Sequence, residues 1–305
     1  MKAATSPETS SRQDVYSRVT AEIIADLERG VPTWLKPWSG GNAEGRITLP
    51  LRHNGVPYRG VNILLLWSEA LECGYSSSRW MTYRQAVELG GHVRKGEHGS
   101  LVVFADLFKK TEEGEGGEEI ERQIPYLKGY TVFNVAQIEG LPEGYYDRPQ
   151  VRGDRMLLIE QAERFFKATG ATICHGGNKA FYAPGPDLIQ LPIPEAFVNA
   201  ESYAAVKAHE LTHWTKHESR LARDFGRKHW GDEGYAREEL VAELGAAFLC
   251  SSLGITPEVR EDHAAYLENW LTILKGDKRA IFAAAAHAQR ACDYLHSLQE
   301  VASHA

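Results

Sequence analysis

Cysteine is scarce and scattered. The four residues Cys73, Cys174, Cys250 and Cys292 form no C-x-x-C pair. That spacing argues against a disulfide framework and gives no support to a cysteine-based zinc site. Long apolar runs are missing as well. Nothing in the chain approaches the roughly 20 consecutive apolar residues of a membrane-spanning helix, so no membrane partner is expected. Residues 1–13 are polar and rich in Ser and Thr. They lack the apolar segment of a secretory signal and read as a disordered lead-in, which makes the expected location cytoplasmic. There is also no positive balance: the net charge is −7, whereas nucleic-acid binders are usually basic. One low-complexity stretch, Thr111-Glu-Glu-Gly-Glu-Gly-Gly-Glu-Glu119, however, supplies much of the net negative charge.

What is present is a globular composition, 43% hydrophobic and 25% charged, in 305 residues. That length suffices for two domains with their own cores. Asp14 is a fair N-cap for a helix whose apolar face is Val15, Val19, Ile23, Ile24 and Leu27, and Gly30 and Pro32 stop it. Further helices are expected over Val61–Leu71 and Thr82–Leu89. The pattern then turns to strands at Ser100–Phe108 and Ile124–Val135. With the acidic, glycine-rich stretch between them as a solvated loop, they predict a long hairpin. Residues 141–153, rich in Gly and Pro, read as an interdomain linker between a domain at 14–140 and a second at 154–305. The second region is mostly helical: Met156–Thr169, Ser202–His217, Ala236–Leu253, Asp262–Leu274 and Lys278–Val301. Three short β-like pieces near 172–191 suit a small sheet. The expected fold class is therefore α+β.

The strongest chemical signal is His209-Glu210-Leu211-Thr212-His213. Residues four apart share one helix face, so both histidines can offer a ring nitrogen to one ion. Glu210, beside the first ligand, is then placed to take a proton from the water that zinc activates. A third protein ligand is needed. His217 continues the series, but eight helical residues span about 12 Å, too far for the same ion. The better source is Ala236-Arg-Glu-Glu-Leu-Val-Ala-Glu-Leu-Gly-Ala-Ala-Phe248, where Glu239 and Glu243 share a face beside small residues. Glu239 is the expected ligand and Glu243 the expected partner of a histidine's other N–H. Glu238, about 100° away on the helix, is the alternative ligand. One Zn2+ is expected per chain, and this donor set also accepts Mn2+ or another divalent ion. Tyr203, Tyr235 and His229 are open candidates for stabilising an oxyanion.

Between Arg29 and Trp67 the basic residues Arg29, Lys36, Arg46, Arg52 and Arg59 face a single acid, Glu44. Trp34, Trp38, Tyr58 and Trp67 are interleaved, with Trp80 and Tyr83 beyond. Cations that track phosphates and aromatic faces that stack bases are the parts of a single-strand binding surface. The candidates are Trp34, Lys36, Trp38, Arg52, Tyr58, Arg59, Asn62 and Trp80.

Several motifs carry a family resemblance. Thr33-Trp-Leu-Lys-Pro-Trp38, Tyr58-Arg-Gly-Val-Asn62, Trp80-Met-Thr-Tyr83 and Gly90-Gly-His-Val-Arg-Lys-Gly-Glu97 resemble the N-terminal domain of ArdC-type antirestriction proteins, which also opens the TraC-type primases of conjugative plasmids. The segments around His209–Thr215, Tyr235–Phe248 and His263–Trp270 resemble the ArdC zincin-like metallopeptidase domain. The resemblance implies a plasmid- or mobile-element-borne protein that binds single-stranded DNA and protects incoming DNA from host restriction during conjugation. It also implies a C-terminal metallopeptidase-like domain, and on the reading that this domain is an active peptidase the expected protein substrate is a host restriction component. No primase segment is visible. Two other readings stay open: a DNA-binding protein whose zinc is structural or vestigial, and an intracellular zinc protease that does not bind DNA.

Overall fold

A computed structural model describes residues 14–29, 48–113, 119–146, 155–226, 232–256 and 263–302. The lead-in at 1–13, the loop bearing Trp34, Lys36 and Trp38, residues 114–118 of the acidic stretch, residues 147–153 of the expected linker, and His229 lie outside the described residues.

Helix α1 (Val15–Glu28) begins where the Asp14 side chain accepts from the Ser17 backbone N–H at 3.0 Å, a cap that stabilises by about 1 kcal/mol. Its face of Val19, Ile23 and Leu27 is fully buried. Strand β1 (Leu51–Arg52) leads to α2 (Val61–Cys73), which ends on Gly74 in the left-handed conformation that glycine adopts without strain. Strand β2 (Arg79–Met81) precedes the short helix α3 (Tyr83–Glu88), which is opened by a capping box between Thr82 and Gln85. Strand β3 (His92–Val93) pairs with β6 (Ile138–Glu139). The hairpin of β4 (Ser100–Glu113) and β5 (Glu119–Asn134) forms the edge of a sheet ordered β1-β2-β5-β4. Its register runs from Ser100 opposite Val132 to Glu113 opposite Glu119. The strands thus run further than the sequence pattern indicated: Thr111, Glu112 and Glu113, expected in the loop, are paired. Cross-strand hydrogen bonding continues up to the glycine-rich segment, beyond the point where apolar alternation fades.

In the C-terminal half α4 (Arg155–Ala168) is followed by a three-stranded sheet in the order β7-β9-β8, formed by β7 (Thr172–His175), β8 (Phe181–Ala183) and β9 (Leu188–Leu191). Then come α5 (Ala200–Trp214), α6 (Glu233–Ser252), α7 (His263–Gly276) and α8 (Ala280–Ala302). Asn199 and Asp232 cap α5 and α6 through the backbone N–H groups of Ser202 and Tyr235, both at 2.8 Å.

The two halves share a core. Val19, Ile23, Leu27, Leu64 and Trp67 belong to one buried cluster with Phe248, Trp270, Ile281 and Ala285. The rings of Trp67 and Phe248 meet edge to face with centroids 6.0 Å apart. Polar contacts run alongside. The Thr20 hydroxyl donates to the Lys278 carbonyl at 2.7 Å, the Gly60 N–H donates to Gln289 Oε1 at 3.0 Å, and Arg59 pairs with Asp293. Among the described residues no helix is long and apolar enough to cross a membrane.

Candidate metal centre

Helices α5 and α6 pack together and bring three potential ligands to one point. His209 and His213, one turn apart, have ring centroids 4.8 Å apart. Glu239 on α6 presents one carboxylate oxygen to each ring: Oε2 lies 3.5 Å from His209 Nε2 and Oε1 lies 3.5 Å from His213 Nε2. Ligand atoms of His209, His213 and Glu239 all fall within 4.8 Å of one another, and all three residues are buried.

The far side of each imidazole faces a second carboxylate. His209 Nδ1 lies 3.2 Å from Glu243 Oε1, and His213 Nδ1 lies 2.9 Å from Glu238 Oε1. A proton on each Nδ1 turned toward these oxygens leaves both Nε2 lone pairs aimed at the Glu239 side. Glu238, the alternative ligand in the sequence reading, therefore backs His213 on the side away from Glu239. His217 does not join the cluster; its Nδ1 contacts Ser219 Oγ at 2.8 Å.

Charge makes the same case. Glu210, Glu238, Glu239 and Glu243 are all buried, with Arg223 as the buried guanidinium beside them. Four buried carboxylates outnumber the two fixed cations set against them, Arg223 and Lys216, whose Nζ lies 3.8 Å from Glu238 Oε1; that excess is costly in a low-dielectric site unless a further cation is bound or the histidines are protonated. A divalent cation fits both this imbalance and the two-imidazole, one-carboxylate donor set. Burial would raise the Glu239 carboxyl, but the charges and hydrogen bonds of His213 and His209 outweigh it and hold the group well below the usual carboxylate range. Burial also opposes the low value of Glu238, whose bonds from His213 and Arg223 bring it to about 2. Glu210 is 3% exposed and shares the helix turn with the two histidines.

Two members of this network escaped sequence reasoning. In the sequence Glu238 reads only as an alternative ligand, and nothing in its spacing marks it as the partner of His213. Arg223 lies in the irregular segment after α5, where no periodicity marks it. Of the oxyanion candidates, the Tyr203 hydroxyl is 2.9 Å from His175 Nε2 and 3.3 Å from Lys207 Nζ. Tyr235 sits in the first turn of α6.

The described N-terminal candidates, Arg52, Tyr58, Arg59, Asn62 and Trp80, do not come together as one surface. Trp80 is 1% exposed and Tyr58 is buried beside it, in a cluster with Leu66, Ala70, Val102 and Val132. Their burial corrects the expectation that these two rings offer faces for stacking: β2 and the turn before α2 direct them inward. Asn62 spends its amide on the sheet, donating to the Val103 carbonyl at 2.8 Å and accepting from the Val103 N–H at 2.7 Å. Arg59 is paired with Asp293. The Arg52 guanidinium lies 5.6 Å from the centroid of the Tyr58 ring. Exposed aromatics are found elsewhere. Phe104 on β4 and Tyr130 on β5 are 47% and 39% exposed, and their rings meet edge to face. Lys128 Nζ lies 5.0 Å from the Tyr130 ring centroid. These three read in the sequence only as strand residues.

Comparison with known proteins agrees with this architecture. Residues 160–287 match the family model for zincin-like metallopeptidases, and residues 13–133 match that for the N-terminal domain of the anti-restriction factor ArdC. The metal-free crystal structure of the antirestriction ArdC protein from plasmid R388 is 47% identical, covering 94% of this chain and 98% of that one, with a TM-score of 0.78. Its Mn(II)-bound form is 46% identical over the same shares, with a TM-score of 0.76. The protein y4eC of Sinorhizobium fredii, itself uncharacterized, is 40% identical over 94% of this chain and 92% of its own length. The DNA primase TraC of Escherichia coli is 37% identical over 95% of this chain, which spans only 20% of the primase. Fold and site together define a zincin-like metallopeptidase domain joined to an ArdC-type N-terminal domain. The chain belongs to the ArdC family of antirestriction proteins.

Proposed function

We propose that this antirestriction protein binds single-stranded DNA through its N-terminal half, carries a divalent-metal peptidase site in its C-terminal half, and acts in the cytoplasm. In this reading a plasmid or other mobile element supplies it to protect incoming DNA from host restriction during conjugation. The observation that carries the hydrolytic part is the meeting of His209, His213 and Glu239 with Glu210 in the same turn. The Mn(II)-bound form of the R388 relative supports a divalent ion at this site, with zinc as the expected occupant. When bound, such an ion polarises a carbonyl and acidifies water. His209, His213 and Glu239 are the proposed ligands. Glu210 is the proposed general base, taking a proton from the attacking water and passing it to the departing amine. Glu243 and Glu238 orient the two imidazoles. The proposed protein substrate is a host restriction component.

Single-strand binding is supported by the ArdC-type N-terminal domain, by the likeness of this region to part of a DNA primase, and by the exposed Phe104, Tyr130 and Lys128. A second reading, in which the metal only stabilises the fold, is favoured by one observation: Glu210 and all three ligands are buried. Fluorescence anisotropy with single- and double-stranded oligonucleotides, at two salt concentrations and with or without chelator, tests the DNA half. A salt-sensitive preference for single strands is expected; absence of binding at low salt refutes it. Glu210→Gln tests the other half. It should retain metal and lose both hydrolysis of the restriction component and protection. Full protection in this variant would leave the metal a structural role.

A further inference from the structure

Beyond the ligands, the segment that follows α5 contains a device for holding the site together. After Trp214 the chain folds back on itself: the N–H groups of Leu221, Ala222 and Arg223 donate to the carbonyls of Thr215, His217 and Lys216 at 3.0–3.1 Å. Ala222 has φ +47°, a left-handed conformation that is strained for a non-glycine residue and persists only where its surroundings enforce it. The residue directly after this turn is Arg223, whose side chain is 1% exposed.

Its guanidinium grips both ligand-bearing helices. Nε donates to Glu238 Oε2 at 2.8 Å and Nη2 to Glu238 Oε1 at 2.9 Å, a two-pronged hold on α6. Nη2 also donates to the Thr212 carbonyl at 2.9 Å, and Nη1 to the Thr215 hydroxyl at 3.1 Å, both at the C-terminal end of α5. The same Glu238 Oε1 faces His213 Nδ1 at 2.9 Å. Arg223 therefore fixes the carboxylate that orients His213 and, through the same plane of atoms, the distance from α5 to α6. Glu239 follows Glu238 on α6, so the third ligand is held in place too. Only a rigid planar fork reaches these acceptors at once; a lysine ammonium offers a single centre on a flexible stem.

We infer that Arg223 is a positioning residue for the metal centre: it locks His213 with its proton on Nδ1 and sets the α5–α6 spacing at which His209, His213 and Glu239 converge. The inference rests on the reading of those three residues as a metal site. Arg223 approaches His213 from the side opposite Glu239, so it shapes the site without touching the ion.

Zn2+ affinity, measured by competition with a chromophoric chelator, tests this on the full chain as wild type, Arg223→Lys, Arg223→Met and His213→Ala. It is paired with two-bond 1H–15N spectra of the histidines in metal-free protein. Arg223→Lys keeps a buried cation and should remain folded. Its affinity should fall 10–100-fold, and His213 should change from one tautomer to a mixture while single-strand binding holds. Arg223→Met should fall at least as far; if it does not fold, the lysine variant decides. Unchanged affinity and an unchanged His213 tautomer in folded Arg223→Lys would overturn the inference and leave Arg223 as a structural ion-pair partner only. Wild-type zinc affinity in His213→Ala would instead show that the metal reading itself is wrong.

Discussion

Gly245 on α6 lies so close to Thr212 on α5 that a Cβ at position 245 would sit 2.5 Å from Thr212 Cγ2 and 2.7 Å from its Oγ1. Thr212 is fully buried, and its hydroxyl donates to the Ala208 carbonyl at 2.9 Å, so it has little room to swing aside. Gly245→Ala must therefore move the helices apart. Overpacking of this kind costs about 1–3 kcal/mol, and because the ligands come from both helices, metal affinity should fall with stability. Replacing Thr212 by Ala in the same chain removes the opposing methyl and hydroxyl and should restore much of both. Urea melts and zinc competition on the single and double variants check this; a Gly245→Ala protein unchanged in both would show that the contact yields easily.

The three buried glutamates of α6 should separate by role. Glu239→Gln should abolish measurable metal binding, because it removes the anionic ligand between the two Nε2 atoms. Glu238→Gln and Glu243→Gln keep an acceptor for the histidine N–H and should lower affinity by about 10–100-fold. Calorimetric titration with Zn2+ and with Mn2+ distinguishes them. A loss in Glu238→Gln as complete as in Glu239→Gln would move the ligand role to Glu238.

In the N-terminal half, Asn62 and the exposed ring pair should behave oppositely. Asn62→Ala leaves both the N–H and the carbonyl of Val103 without their side-chain partner, a loss of about 1–3 kcal/mol. Single-strand affinity of the folded fraction should stay at the wild-type level. Phe104→Ala and Tyr130→Ala should hardly change the melting temperature but weaken single-strand binding by about 1–3 kcal/mol each. Anisotropy titrations beside thermal melts separate the two effects. An affinity loss confined to Asn62→Ala would return the DNA surface to the first turn of α2.

The contrast shows what the sequence could and could not convey. Helical period alone put His209, Glu210 and His213 in one turn, and the four-residue spacing of Glu239 and Glu243 put both carboxylates on one face of α6, the face that the structure turns toward α5. Spacing has no access to contacts between elements. Trp80 and Phe104 are both aromatic residues in strands, and only the packing of α2 over one part of the sheet buries the first and leaves the second exposed. Asn62 looks like a base-reading amide until Val103, 41 positions away, occupies it. Arg223 carries no periodic signal because it is delivered by an irregular turn. The core shared by Trp67 and Phe248 was equally hidden, since a Gly- and Pro-rich stretch reads as a linker whether or not the flanking units pack together.

Acid–base behaviour away from the metal centre gives a further prediction. Glu22 on α1 is partly buried, and its carboxyl is raised to about 7, first by burial and then by the nearby charges of Glu69 and Asp26, with Glu72 adding to the effect and Arg18 opposing it. In the unfolded chain it titrates near 4.5. A folded value above the unfolded one means that the folded state holds the proton more tightly, so this contribution to stability is complete below pH 4.5 and is lost as the pH rises through 7. Glu22→Gln mimics the protonated form at every pH. The variant should match wild type at pH 4 and exceed it by about 1–2 kcal/mol at pH 8, a figure reduced from the full linkage value because the group keeps contact with solvent. Thermal melts of both proteins across this range measure the difference directly. A stability gap that does not grow between pH 4 and pH 8 would mean that Glu22 ionises in the folded protein as it does in the unfolded chain.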